Sequence, residues 1–175
     1  MSEEFFQIRP VGVIKNKVKK PFLKTDNNDL KLQKEINIIK TNYQKSYNQT
    51  SKIIINKEIV SILDGIEEYS HLIVLYWAHK VPEESRKLTK VHPMGRRDTP
   101  LTGIFSTCSP ARPNPVLTSI VRLYTRKENI LHVKGLDAID GSPVIDIKPY
   151  VKVFYPQNDV VVPVWMNKIC QEMKQ

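Results

Sequence analysis

The run His71-Leu72-Ile73-Val74-Leu75-Tyr76-Trp77 is almost unbroken in apolar, β-branched and aromatic residues. At that length it reads as a buried strand, since a membrane span needs ~18 residues or more. Shorter runs of the same kind recur along the chain. They lie at 5–14 (with a break at Pro10), 52–55, 102–106, 116–124, 129–134, 144–147 and 151–154. Turn-forming residues separate them: Asp64-Gly65, Arg126-Lys127-Glu128, and the loop 135–142. Strands parted by short turns, without intervening long helices, predict an antiparallel or mixed β-barrel and argue against a βαβ array. The segment Ser109-Pro110-Ala111-Arg112-Pro113-Asn114-Pro115 is excluded from regular structure, because each proline removes a backbone donor and fixes φ.

One stretch departs from this pattern. Leu32, Ile36, Ile39, Tyr43 and Tyr47 recur at spacings of three or four, which predicts an amphipathic helix over about 29–47 behind a cap at Asn27-Asn28-Asp29. Short peripheral helices are expected at 58–63 and near the C-terminus. Residues 81–100 show no period and several prolines, and are expected to be a long exposed loop. The fold class is mainly β: one barrel domain over 1–155, with residues 156–175 as an extension packed on it.

The chain carries 27 Lys and Arg against 18 acidic residues, a net charge of +9. Such an excess concentrates polyanions, so a nucleic-acid partner is expected alongside the alternative of simple solubility. The basic run Lys15, Lys17, Lys19, Lys20, Lys24 is one place for phosphate contacts, and Lys17, Lys19 and Lys20 are the candidate RNA-binding residues. Cys108 and Cys170 cannot build a disulfide scaffold or a four-cysteine zinc site, which fits a cytoplasmic protein without a structural metal. No signal or membrane segment is evident. His71, His79, His92 and His132 do not pair at helical spacing with a second metal ligand. There is no phosphate-binding G-x-x-x-x-G-K-[ST], and no G-x-G-x-x-G follows a strand.

Three places can carry chemistry. His79 ends the aromatic strand, where a barrel rim mounts binding groups. The proline-locked loop holds Arg112 and Asn114 at fixed positions, suited to a phosphate or carboxylate, or to satisfying their own backbone. Asp137 and Asp140 stand on a glycine-bracketed turn, where they can accept from ribose hydroxyls or cap the turn. Asp146 and Lys148 alternate along one strand as a surface ion pair.

Gly103-Ile104-Phe105-Ser106-Thr107, Ser109-Pro110-Ala111-Arg112-Pro113-Asn114-Pro115, and the long stretch from Gly135-Leu136-Asp137-Ala138-Ile139-Asp140-Gly141-Ser142-Pro143 to Asp146-Ile147-Lys148-Pro149-Tyr150 closely resemble the TrmO/TsaA (YaeB-like) family. Pro10-Val11-Gly12-Val13-Ile14 and Tyr69-Ser70-His71-Leu72-Ile73-Val74-Leu75-Tyr76-Trp77 agree. Those are tRNA methyltransferases that methylate N6 of threonylcarbamoyladenosine beside the anticodon. The resemblance implies a β-barrel enzyme that uses S-adenosylmethionine, acts on tRNA and forms a homodimer. Carried over by position, it implies cofactor contacts at His79, Lys80, Cys108, Thr118, Asp137, Ala138, Ile139 and Asp140, with Arg112 and Asn114 as catalytic candidates.

Departures are specific. Cys108 stands where the family has an Arg, Val116-Leu117-Thr118 replaces an I-G-L or I-G-M, and the segment from Pro21 lacks a P-R-Q. The chain is expected to be a short branch without the family's extra C-terminal tRNA-binding domain. Two alternatives stand beside this expectation: a non-catalytic module binding S-adenosylmethionine or RNA, and a methyltransferase for another acceptor.

Overall fold

Alternation of side chains along the strands sets the core. A computed structural model describes residues 7–21, 23–26, 29–32, 44 and 47–174. Six strands close into an antiparallel barrel in the order β1 (Gly12–Lys15), β10 (Pro143–Pro149), β5 (His71–Trp77), β8 (Val116–Lys127), β9 (Ile130–Lys134), β4 (Thr50–Ile55). One face of each strand points inward. Ile14, Ile53, Ile55, Leu72, Val74, Tyr76, Val121, Leu123, Leu131, Val133 and Val144 fill the interior. Period-two alternation puts every other residue in this one core, and closure leaves the barrel no unpaired edge. The strands read at 52–55, 71–77, 116–124, 129–134 and 144–147 are thus realised, with β5 running over His71–Trp77 as expected, while of the strand read at 5–14 only the end from Gly12 lies in β1.

β1 runs close against β4. A Cβ on Gly12 would lie 2.3 Å from the Ile54 carbonyl oxygen, so only glycine fits there. Tight turns need left-handed backbone at Gly65 (φ 82°), before the next strand, and at Gly141 (φ 84°), in the loop leading into β10.

The described residues divide into two compact units. The barrel unit comprises those within 1–20, 46–79 and 116–150, and the second unit those within 21–45, 80–115 and 151–175. The second unit holds two small hairpins, β2 (Leu23–Asp26) with β3 (Asp29–Leu32), and β6 (Lys90–Val91) with β7 (Thr102–Gly103). Leu30, Val91, Ile104 and Ala111 form its core. The C-terminal helix Val164–Lys174 is tied in by Glu172, which accepts from Arg96. No helix among the described residues is long and apolar enough to cross a membrane.

Four expectations are corrected here. The helix expected over about 29–47 does not begin at Asp29. Asp29–Leu32 is strand β3, paired from Asp26↔Asp29 to Leu23↔Leu32. The Asp29 carboxylate accepts from the Leu30 and His92 amides and contacts the His92 ring instead of capping a helix. Residues 33–43 of that helix lie outside the described residues, while Gln44, Tyr47 and Asn48 are helical.

Residues 81–100 are not an exposed loop. They carry two 3-10 turns and β6, and Val91, Pro93, Ser85 and Thr99 are buried. Short elements of this kind have no period for the sequence to display. Finally, 152–154 forms a 3-10 turn through Phe154 N–H to Val151 O, not a strand. A strand needs a partner edge, and this segment closes its hydrogen bonds locally. Similarly, β7 stops at Gly103, and Ile104–Ser106 continues as a 3-10 turn.

Candidate functional site

In the barrel unit, the loop 135–142 joins β9 to β10 and is held from several elements. Leu136 and Ala138 are buried and anchor it. The Gly135 amide donates to the Tyr47 carbonyl at 3.0 Å. From inside the barrel, Tyr76 Oη donates to the Asp137 carbonyl. Ser119 Oγ accepts from the Asp137 amide at 3.3 Å. Just past β1, Asn16 Nδ2 donates to the Ala138 carbonyl at 2.9 Å, and the Asn16 amide donates to Asp140 Oδ1 at 3.0 Å. The Asp140 amide donates to Val18 O at 2.7 Å, and Gly141 N–H to Ile14 O at 2.8 Å.

These bonds give the two aspartates opposite environments. Asp140 accepts from Lys19 Nζ at 2.7 Å, and that bond, with the Asn16 amide, holds its carboxyl below the usual range. Asp137 has its backbone fixed and its side chain open to solvent. Among the described residues no donor reaches its carboxylate. Surrounding protein nonetheless removes enough water to push its pKa up. His79, beyond the end of β5, lies 3.3 Å from Ser142 Oγ through Nδ1, and a Cβ on Gly141 would be 3.8 Å from its Nε2.

The structure therefore brings together His79, Asp137, Ala138, Ile139 and Asp140 from the sequence candidates. Ala138 and Ile139 take part through backbone: Ile139 O accepts from the Ser142 amide at 3.1 Å. Thr118 is on β8 but faces outward. Its neighbour Ser119, facing inward, is the residue that touches the loop. Ser119, Tyr76 and Asn16 are the positions that reading by motif missed. The alternation of β8 carried the signal for Ser119, since an inward polar residue in an apolar row needs a partner.

Lys80, Cys108, Arg112 and Asn114 belong to the second unit. Cys108 is an exposed free thiol, and Lys80 and Asn114 are exposed. Arg112 braces its own loop: Nε donates to Ser109 O at 2.7 Å and Nη2 to Thr107 O at 2.6 Å. A second polar cluster lies here. His92 Nδ1 is 2.7 Å from Asp29 Oδ2, and Arg97 Nη1 is 3.2 Å from the same oxygen. Burial would raise Asp29, but the amide and ring of His92 and the Leu30 amide outweigh it and hold the carboxyl low. In the basic segment, Lys17 and Lys20 are exposed, while Lys19 is committed to Asp140. Asp146 and Lys148 form the ion pair expected on β10.

A family model described as the tRNA-methyltransferase O N-terminal domain matches residues 37–155. A probable S-adenosyl-L-methionine-binding protein of Methanothermobacter thermautotrophicus is 43% identical over 150 residues, covering 86% of this chain and 93% of that protein. A mouse tRNA (adenine(37)-N6)-methyltransferase is 41% identical over 97 residues, 55% of this chain and 22% of that protein. The crystal structure of TrmO from Pseudomonas aeruginosa superposes with a TM-score of 0.65 at 23% identity, over 92% of this chain and 63% of that one. That likeness carries the fold, and the chain spans under two thirds of that structure's length.

Proposed function

The chain belongs to the TrmO family, and from that premise we propose that it is an S-adenosylmethionine-dependent methyltransferase that modifies N6 of threonylcarbamoyladenosine at position 37 of tRNA. The observation that carries the cofactor half is Asp137. An accessible carboxylate with no donor among the described residues, on a loop fixed from Tyr76, Ser119 and Asn16, fits the hydroxyls of a nucleoside. The names of the archaeal and mouse relatives support the cofactor and the tRNA acceptor, respectively.

When bound, S-adenosylmethionine supplies a methyl group on a positively charged sulfur. The chain's own residues have three tasks. Asp137 and the backbone of 138–139 hold a nucleoside, and the loop's outside supports keep them from reorganising on binding. Holding donor and acceptor in line is worth ~7–11 kcal/mol of the barrier. The acceptor N6 must also lose its proton. With Asp137 placed on the nucleoside hydroxyls, His79, held beside the loop by Ser142, is the residue to accept it. Lys19, by neutralising Asp140, keeps that second carboxylate from competing for protons or for the charge of the cofactor.

One observation favours a second reading, a binding module without transfer. Nε and Nη2 of Arg112 donate to the Ser109 and Thr107 carbonyls, so the side-on edge of its guanidinium is spent on its own loop and not on a substrate carboxylate. Mass spectrometry of tRNA nucleosides from a deletion strain separates the two. Loss of the methylated threonylcarbamoyladenosine is expected, and an unchanged nucleoside profile would leave the binding module. Calorimetry with S-adenosylmethionine, with and without chelator, is expected to give the same heat.

We also propose a homodimer. The apolar run in β5 does not supply its interface, because Leu72, Val74 and Tyr76 fill the barrel. Val153, Phe154, Val161 and Val164 are each at least 77% exposed and are the apolar surface for a partner copy to cover. Sedimentation equilibrium giving only the 20.3 kDa chain mass would remove this proposal.

A further inference from the structure

The outer wall of the barrel has a charge pattern that the fold does not need. None of β1, β4, β5, β8 and β9 contains an acidic residue. Two of their outward pairs set cation against cation. Lys15 lies opposite Lys52 across β1 and β4, and Lys134 lies opposite Arg122 across β9 and β8. Lys52 and Lys134 are joined diagonally, since Lys52 faces His132 while Thr50 faces Lys134. His71 closes the row opposite Arg122. Directly opposed side chains sit about 4.5–5.5 Å apart at Cβ, and like charges there are destabilising.

Neutralisation happens elsewhere. Arg126, at the far end of β8, is paired with Asp64 at 3.0 Å and Glu67 at 3.3 Å. Among the described residues Lys15, Lys52, Lys134 and Arg122 have no carboxylate within ion-pair distance. Beside them Tyr124 is 53% exposed, with the Arg122 guanidinium 5.6 Å from its ring centre. A solvated surface intersperses signs. Cations in register, without a carboxylate partner among the described residues and around an exposed aromatic, instead suit a polyanion with π-faces.

We infer that this wall, through Lys15, Lys52, Lys134 and Arg122, is an RNA-docking face that grips the phosphate backbone, with Tyr124 available to an unstacked base. The inference rests on the RNA substrate proposed above and adds where the RNA lies. It moves the main phosphate contacts from Lys17–Lys20 to the barrel wall. Lys15 joins the two places, because it is close enough to Asp140 to help lower its carboxyl.

The test is fluorescence anisotropy of a labelled tRNA transcript with the full chain across a salt series. K52Q/K134Q is compared with wild type and with K57Q/K90Q, which removes two exposed lysines elsewhere. Each phosphate contact contributes a slope of about 0.7–0.9 in log affinity against log salt, so K52Q/K134Q should flatten the slope by about 1.4–1.8. At ~0.1 M salt that is a loss of roughly thirtyfold. Calorimetric binding of S-adenosylmethionine should be unchanged, which also shows that the variant is folded.

An unflattened slope, or an equal loss in K57Q/K90Q, overturns the inference. So does binding to phosphatidylserine vesicles with none to RNA. Wild type that grips RNA through this wall yet transfers no methyl group supports the face and removes the proposed activity. Methyl transfer to tRNA that K52Q/K134Q leaves intact in both rate and salt slope does the reverse.

Discussion

Two loops carry the distinctive wording of this chain, and they are stabilised in opposite ways. The loop 135–142 is held by others: Tyr76, Ser119, Asn16 and the backbone of Ile14, Val18 and Tyr47 donate to it or accept from it. The loop 107–115 holds itself, with Arg112 bonded to Thr107 and Ser109 and the Ser109 and Thr107 hydroxyls accepting from Ala111 and Ser109 amides. The difference decides which charged side chain is free to act. Support from outside leaves Asp137 open to a ligand, whereas self-support ties two donors of the Arg112 guanidinium to its own loop. A conspicuous charged residue in a rigid loop can therefore be its brace.

The comparison can be broken most forcefully at Arg112. Arg112→Ala should cost about 2–3 kcal/mol in urea unfolding, since charged hydrogen bonds to two carbonyls are lost. Arg112→Lys should recover only part, because one ammonium cannot reproduce the fork. Full recovery by Lys would show that charge alone matters there, and that the brace is not geometric.

Next comes Asp137→Asn. Cofactor affinity should fall by about 2 kcal/mol, roughly thirtyfold in calorimetry. Stability should move the other way at neutral pH. A carboxyl whose folded pKa is raised contributes stability below its unfolded value and loses it as pH rises through the folded value. The charged form is therefore a burden at pH 7, and Asn relieves it. A variant with a lower Tm at neutral pH would contradict this account of Asp137.

Asn16→Ala sharpens the comparison. It should cost about 1–1.5 kcal/mol of stability, from the bonds to Ala138 and Val18, and weaken cofactor binding without removing any group placed against the cofactor. Unchanged affinity would mean that the loop does not depend on its outside supports. The smallest effect is expected for Lys19→Ala, under about 1 kcal/mol, as for other exposed pairs. Asp140, whose pKa is depressed, contributes stability above its unfolded value and loses it as pH falls through the folded one. The wild-type advantage over Lys19→Ala should accordingly vanish at acid pH, and an advantage that persists in acid would exclude the ion pair as its source.

The sequence displayed some of this openly. β5 was legible because no break interrupts its β-branched and aromatic run, and the loop 135–142 because glycines bracket it. The strand β3 was not, because Leu32 starts a helical spacing with Ile36 and Ile39 and also alternates with Leu30, and pairing with β2 decided between them. His92 was unremarkable until the fold placed it on Asp29.

By itself the sequence determined the mainly β architecture, the turns, the excess of positive charge and the family motifs. These are properties of periodicity, backbone freedom and composition, which act locally. Only the tertiary structure decided that Asp140 is spent on Lys19 while Asp137 is free, that Arg112 braces its own loop, and that cations from β1, β4, β9 and β8 share one wall. Those outcomes depend on strand register and on partners more than a hundred residues away in the chain, such as Asn16 and Asp140. A hydrogen bond or a charge pair exists only between groups that folding has brought within a few ångströms, and no local pattern encodes that meeting.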